Sequence, residues 1–327
     1  MVRSGVTGPA TSELIALDLA GLAGRAAEIA QKAQSANTRR AYRADWADFA
    51  AWCGGKGLPA LPAEAATIIL YLTDLSSRAK SSTIARRVAT ISQAHEAAGW
   101  ESPARRTVVR LFLKGLRRDK AGQGITAAGK RPILGPELRA MLGATPATMV
   151  GIRDRALLLL GYLGAFRRSE LVGLDREHIE RVEQGLIVHL RRSKTDQEGL
   201  GEKKGIPKGK PEEGNCPVQT LEDWLQASGI EQGPLFRPLD RRGRVLSGRL
   251  SSRAVSRAVK RYAAAAGLDP ASLGGHSLRA GLATAAAIAG KSESSIMNQT
   301  GHKSVATVRR YIRDGNLFRE NAAEGLL

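Results

Sequence analysis

Residues 274–281 read GGHSLRAG, and residues 301–312 read GHKSVATVRRYI. In the first segment His276 and Arg279 stand at i and i+3, so a helix there carries both on one face. Gly274–Gly275 place His276 at that helix's N-terminus, where free N–H groups and the dipole favour an anion. In the second segment His302 precedes Tyr311 by nine residues. Working outward, residues 164–171 read GAFRRSEL, in which Glu170 is three residues from Arg167 and so able to orient it on a helix. Between these lies GLIVHL (185–190), a β-like run ending in a polar tip, RRSKT, that carries Lys194.

The chain around these segments has 327 residues, enough for about two domains. Apolar residues make up 43%, which supports a true core and excludes a wholly disordered chain. Fifty Lys/Arg against 31 Asp/Glu leave a net charge of +19, an excess that points to a polyanionic partner, nucleic acid before an anionic membrane surface. The charge is spread along the chain, net +8 over residues 1–128 and net +11 over the rest. Two cysteines, Cys53 and Cys216, exclude a disulfide framework and fit a reducing cytosol. The longest apolar run, 156–166, is too short to span a bilayer, and the first ten residues lack a signal-peptide core. The five histidines show no metal-ligand spacing, and GIPKGK (205–210) lacks the P-loop pattern, so no metal or cofactor is expected. Aromatics at 4% argue against base-stacking platforms for single strands and leave duplex phosphates as the natural target.

The first third of the chain reads as helices. An amphipathic run extends from Thr11 to Gln34. Asn37–Thr38 would cap a helix with Tyr42, Trp46, Phe49 and Cys53 on one side. Pro62 would open a third helix, Ser81–Ser82 precede a fourth and a fifth starts near Ala104. The basic, Gly-rich stretch 117–130 shows no periodicity and reads as a linker. Beyond it come helices at 136–142, 154–163, 218–227, 251–266, 277–289, 292–300 and 305–313, interrupted by a β insertion at 185–190 with a return strand within 199–210.

The four segments, in this order and at these separations, resemble the tyrosine recombinase (phage integrase) family, on its Cre-like side. The likeness extends over nearly the whole chain. It implies a mainly α fold: a helical N-terminal core-binding domain (11–118) after a disordered start (1–10), a linker (119–131), and a mixed α/β catalytic domain (132–327) with a small antiparallel sheet. The resemblance makes Tyr311 the nucleophile that forms a 3′-phosphotyrosine. Arg167 and Arg279 neutralise the phosphate through forked hydrogen bonds. Arg168 is then a backbone-contacting or solvent-facing charge. His276 either accepts the phenolic proton or hydrogen-bonds the phosphate. His302 donates a hydrogen bond to the phosphate. Lys194 is the general acid for the departing 5′ oxygen, with Lys203, Lys204, Lys208 and Lys210 as neighbouring lysines. Thr300 departs from the apolar residue the family often has before Gly-His.

Residues 250–261, LSSRAVSRAVKR, set Arg253, Arg257, Lys260 and Arg261 beside an apolar face, as suits a helix in a major groove. The resemblance makes Arg253 a guanine reader. In the N-terminal part Arg39, Arg40, Arg43, Ser82, Thr83, Arg86 and Arg87 are the expected DNA contacts, mostly to phosphates. The expected partners are duplex DNA with an inverted-repeat site and three further copies of the chain in a synaptic tetramer, with residues 316–327 docking on a neighbouring protomer. The expected location is cytoplasmic, on the nucleoid. The rival functions are type IB topoisomerase-like relaxation and a non-catalytic DNA-binding regulator of the same fold.

Overall fold

The computed structural model describes Arg25 and residues 35–123, 130–190, 201–209 and 214–315. The amphipathic run before residue 35, the Lys194 tip and the segment 316–327 lie outside the described residues. The chain divides into two compact units, residues 1–128 and 129–327.

The first unit holds α1 (Ala36–Gly54), α2 (Ala65–Ser76), α3 (Ser81–Ala97), a single 3-10 turn (Pro103–Arg105) and α4 (Thr107–Gly122). Ser35, rather than Asn37 or Thr38, caps α1: its hydroxyl accepts the Thr38 N–H at 3.1 Å. Pro62 lies three residues before α2 rather than at its start. The helix α4 runs through Gly122, past the point where the linker was expected. Lys120, in its last turn, is 4% exposed and donates to the Ser76 carbonyl at 2.5 Å, so this basic residue is fastened to α2 instead of trailing into solvent. Phe49, Ile68, Tyr71, Leu72, Leu75, Ile91 and Val109 form the apolar centre of this unit.

The second unit begins with an extended segment leading into α5 (Gly135–Gly143) and α6 (Met149–Leu163). Then come α7 (Arg168–Gly173), a 3-10 turn (Arg176–His178) and a sheet of β1 (Ile179–Val182), β2 (Gly185–Leu190) and β3 (Glu202–Pro207). Five helices follow: α8 (Pro217–Ser228), α9 (Ser252–Ala265), α10 (Gly275–Ile288), α11 (Glu293–Thr300) and α12 (Val305–Gly315). The sheet is antiparallel in the order β1-β2-β3, with Leu186 opposite Ile206 and Val188 opposite Lys204. The strand β1 has no apolar alternation (IERV), which is why the sequence signalled only two strands.

α6 is almost wholly buried, as its Leu157–Leu160 run requires, and it packs against α8 and α10. The indole of Trp224, fully buried, donates to the Leu235 carbonyl at 2.8 Å, so burying its polar atom costs little. The extended segment is laid on α10: the Ile133 N–H donates to the Ser277 carbonyl at 3.1 Å. Gly281 explains the last letter of GGHSLRAG. A Cβ there would lie 2.0 Å from the Ile133 carbonyl oxygen and 2.8 Å from the Tyr162 ring.

Gly281→Ala therefore sets two effects against each other. Helix propensity favours Ala by about 1 kcal/mol, whereas overpacking against a backbone atom costs roughly 1–3 kcal/mol. Because the obstructing atom is a carbonyl and not a flexible side chain, destabilisation wins. Thermal unfolding of the variant should show a melting point several degrees below the parent's; an unchanged or raised value would contradict this packing.

Candidate active site

Two turns and one helix converge in the second unit. The first turn links α6 to α7. Gly164 caps α6, and a Cβ there would strike the Phe166 ring at 2.1 Å, so only glycine lets that ring fold back. Ala165 takes φ +46°, in the left-handed region, and Arg167 then stands at the N-cap of α7. Glu170 binds Arg167 twice. One carboxylate oxygen accepts the Arg167 backbone N–H at 2.8 Å and the other accepts Nη1 at 2.5 Å. With 8% of its surface exposed, Glu170 thus holds a partly exposed guanidinium in one orientation, as the i+3 spacing foretold.

The helix is α10. Arg279 is 1% exposed, and its Nη1 donates to the Ala165 carbonyl at 2.8 Å. Its Nη2 is buried with no hydrogen-bond partner among the described residues. Burial and the nearby Arg167 lower its pKa to about 10, against the pull of Glu170, Tyr311 and Glu202, so it stays cationic at neutrality. A buried cationic donor without an acceptor is costly, and an oxyanion would satisfy it. His276, one turn earlier, has its pKa lowered by burial and then by Arg279, Arg167 and Arg168. It is therefore neutral at pH 7 and able to accept a proton.

The second turn leads from α11 into α12 and carries His302, and Tyr311 follows on α12 itself. Gly301 ends α11 in the left-handed conformation. The amphipathic helix α12 buries Val308 against α10, with Tyr311 and Ile312 packed partly onto the same cluster. That packing leaves the phenol free at its end. The Tyr311 hydroxyl lies 3.2 Å from His276 Nε2, and its ring centroid is 6.0 Å from that of His302. Packing and an available hydroxyl thus coexist in one residue: the Tyr311 ring packs and its oxygen faces His276.

His302 is oriented by Thr300, 2.7 Å from Nδ1. The Thr300 hydroxyl already donates its one proton to the Ile296 carbonyl at 2.6 Å, so it accepts from Nδ1–H and leaves Nε2 bare. The departure at Thr300 is thus the residue that sets the tautomer. Burial, then Arg279, Arg167, His276 and Lys204, lower the His302 pKa to about 4.

The β2–β3 tip with Lys194 lies outside the described residues. What sequence reasoning passed over is Lys204, 2% exposed, whose Nζ donates to the Gln299 carbonyl at 2.7 Å and lies 5.3 Å from the centre of the Phe166 ring. Strand alternation carried the signal. Ile206 points to the core, so Lys204, two residues earlier, must face the same way while Lys203 faces out.

The structure thus gathers Arg167, Glu170, His276, Arg279, His302 and Tyr311 around one space. Among the described residues no group of three or more His, Cys, Asp or Glu side chains is placed to hold a metal ion. The family profile described as Phage integrase family matches residues 133–316, the unit that holds this cluster.

The chain belongs to the phage integrase family. It is 42% identical over 264 residues to an integrase/recombinase XerD homolog of Selenomonas ruminantium, covering 80% of this chain and 76% of that relative. It is 34% identical over 172 residues to the tyrosine recombinase XerC of Syntrophus aciditrophicus, covering 51% of this chain and 50% of the relative. These Xer-type relatives place the family but not the Cre-like branch within it. The fold is shared with the Tn1549 transposon integrase solved in complex with transposon right end DNA, with a TM-score of 0.62 at 15% identity over 85% of this chain and 89% of that one. The chain is a tyrosine recombinase by family.

The residues expected at a DNA interface fare unequally. Arg253, Arg257 and Lys260 are exposed along α9, and Arg261 is over half exposed although it reaches Asp154 at 3.4 Å. Arg168, also exposed, donates to Ser256 on the same helix at 2.9 Å. In the first unit Arg39, Arg40, Arg43 and Ser82 are exposed and Thr83 is half-buried. Arg87 is not free for DNA: its side chain, 14% exposed, is held by Asp45, Asp48 and the Tyr71 hydroxyl. Arg86 is likewise paired with Asp45 at 3.1 Å, although 40% of its side chain reaches solvent. Two acidic side chains on α1 claim these arginines, a pairing across helices that spacing on α3 alone does not reveal.

His302 sets a pH dependence whose sign is fixed by the site. An anion beside the ring favours imidazolium, so DNA raises the pKa from about 4. The bound state then holds more protons, and affinity rises as pH falls through the window above about 4. Imidazole NMR should show His302 titrating near 4 in the free protein and higher on duplex DNA. An unmoved titration would contradict the placement of the phosphate beside this ring.

Proposed function

We propose that this chain exchanges strands between two DNA duplexes at a specific site, using Tyr311 as nucleophile and no metal or nucleotide. The observation that carries the reading is the 3.2 Å contact between the Tyr311 hydroxyl and His276 Nε2 beside Arg279, whose Nη2 lacks a partner. His276, held neutral by burial and neighbouring cations, takes the phenolic proton as the oxygen attacks phosphorus. Arg167 and Arg279 stabilise the equatorial oxygens of the phosphorane, where charge grows most. The 3′-phosphotyrosine bond conserves the energy of the broken phosphodiester, so a 5′ hydroxyl from the partner duplex can reverse the step. Lys194 supplies the proton to the departing 5′ oxygen, and His302, protonated on Nε2 once the bound anion has raised its pKa, donates a hydrogen bond to the phosphate.

The net charge of +19 and the exposed arginines of α9 and α1 support duplex DNA as the partner. Arg253 reads a guanine in this scheme, and the other exposed arginines fix position on phosphates. The remaining parts of the reading are an inverted-repeat target bound by two protomers, a tetramer that synapses two such targets, and residues 316–327 as the segment that links protomers. Domain limits of 11–118 and 132–327 belong to the same reading.

The test uses two duplexes of unequal length, each carrying a candidate inverted repeat from the DNA that flanks the gene, incubated with the protein in EDTA without nucleotide. Recombinant-length products are expected, and Tyr311→Phe should give none while binding the DNA as the parent does. Relaxation of any supercoiled plasmid without exchange would favour the topoisomerase reading. Parent-like behaviour of Tyr311→Phe in every assay would leave a DNA-binding regulator.

A further inference from the structure

Lys204 is a buried cation that the chemistry above does not use, and it is built into the molecule at some cost. Burying an ammonium is unfavourable unless its donors are met. Its Nζ donates to the Gln299 carbonyl at 2.7 Å and to the Gly164 carbonyl at 3.3 Å, and it lies 3.8 Å from Glu202 Oε1. These carbonyls belong to the C-terminal ends of α11 and α6, respectively. Helix C-termini leave carbonyls unpaired and carry partial negative charge. One ammonium therefore plugs two helix ends at once.

The chain that leaves each end enters the catalytic cluster. After Gly164 come Ala165, whose carbonyl holds Arg279, and then Arg167. After Gln299 come Thr300, which sets the His302 ring, and His302 itself. Gln299 reinforces the same junction, its Nε2 donating to the Leu163 carbonyl at 2.7 Å and to the Gly205 carbonyl at 3.1 Å. Strand β3 thereby spans both turns from below.

We propose that Lys204 is a positioning residue for strand cleavage: by binding the last carbonyls of α6 and α11 it fixes the turn that presents Arg167 and holds Arg279, and the turn that presents His302. The proposal rests on the recombinase reading of the site. It separates Lys204 from a proton donor, because two of its three N–H groups are taken up by backbone carbonyls and Glu202 lies nearest of the carboxylates. It also separates Lys204 from its neighbour Lys203, which faces away. The charged and titratable groups that face it are Glu202 on its own strand, Arg167 and Glu170 at the start of α7, Arg279 on α10 and His302 after α11. Burial, with Arg279 and Arg167, lowers its pKa to about 8 against the opposing effect of Glu202 and Glu170. The cation is present below that value and is lost as pH rises through it.

The test is single-turnover formation of the covalent protein–DNA adduct on a nicked duplex, with Lys204→Met and the parent compared from pH 7 to 9. Lys204→Met should bind the same duplex within about twofold of the parent. Its cleavage should fall roughly 100-fold at pH 7, the scale of a small misplacement of catalytic groups. The parent's rate should decline through about pH 8, and the variant's should not. A variant rate within threefold of the parent's, or a decline through pH 8 retained in Lys204→Met, overturns the proposal. If the variant does not fold, the parent's profile decides, since a flat rate from pH 7 to 9 also overturns it. An adduct formed by Tyr311→Phe would instead overturn the recombinase reading; a dead Tyr311→Phe beside a fully active Lys204→Met would remove only Lys204's role.

Discussion

The catalytic unit is organised around an electrostatic conflict. Burial and the nearby Arg167 lower the proton affinity of Arg279, and burial with Arg279 and Arg167 lowers that of Lys204, while the carboxylates of Glu170 and Glu202 oppose both shifts without cancelling them. The fold tolerates this because each cation is tied to an oxygen that cannot leave: Glu170 for Arg167, the Ala165 carbonyl for Arg279, and two helix-end carbonyls for Lys204. One donor, Nη2 of Arg279, is left over. The same field keeps His276 and His302 neutral, so the groups that must handle protons are empty of them before substrate arrives. A phosphodiester relieves the repulsion, and a phosphorane with its additional negative charge relieves it further. That is the differential stabilisation catalysis requires.

Holding these cations in place is the work of the surrounding packing. The left-handed Ala165, the glycine at 164 that admits the Phe166 ring and the glycine at 281 that admits the Ile133 backbone are each local solutions to the same problem of close approach. They bring the α6–α7 turn and the start of α10 together. Tyr311 depends on a different device. The helix α12 has its apolar side on α10 through Val308, and the phenol projects from the edge of that contact. Tyr311, the proposed nucleophile, is therefore positioned by ordinary helix packing, and its oxygen meets His276 within the same chain.

Much of this was legible before any coordinates. The i, i+3 pairs His276/Arg279 and Arg167/Glu170 are local, so spacing alone put each pair together. Helices with strong apolar periodicity were found with ends shifted by a few residues. What could not be read was non-local. Arg87 looked like a DNA contact because α3 by itself presents it to solvent, and only the approach of Asp45 and Asp48 from α1 removes it. Lys204 sat in a lysine-rich segment that suggested a solvated loop, although its two-residue spacing from Ile206 already implied an inward side chain. The extension of α4 to Gly122 was hidden because its last turn is anchored by a lysine instead of an apolar residue.

The central claim is that the Tyr311 oxygen is the atom to which DNA becomes joined. Peptide mapping by mass spectrometry of the adduct trapped on a nicked duplex addresses it directly. The account predicts a nucleotide mass on the peptide containing Tyr311, attached through the 3′ end of the cleaved strand. A modification on any other residue, or one attached through the 5′ end, would contradict it.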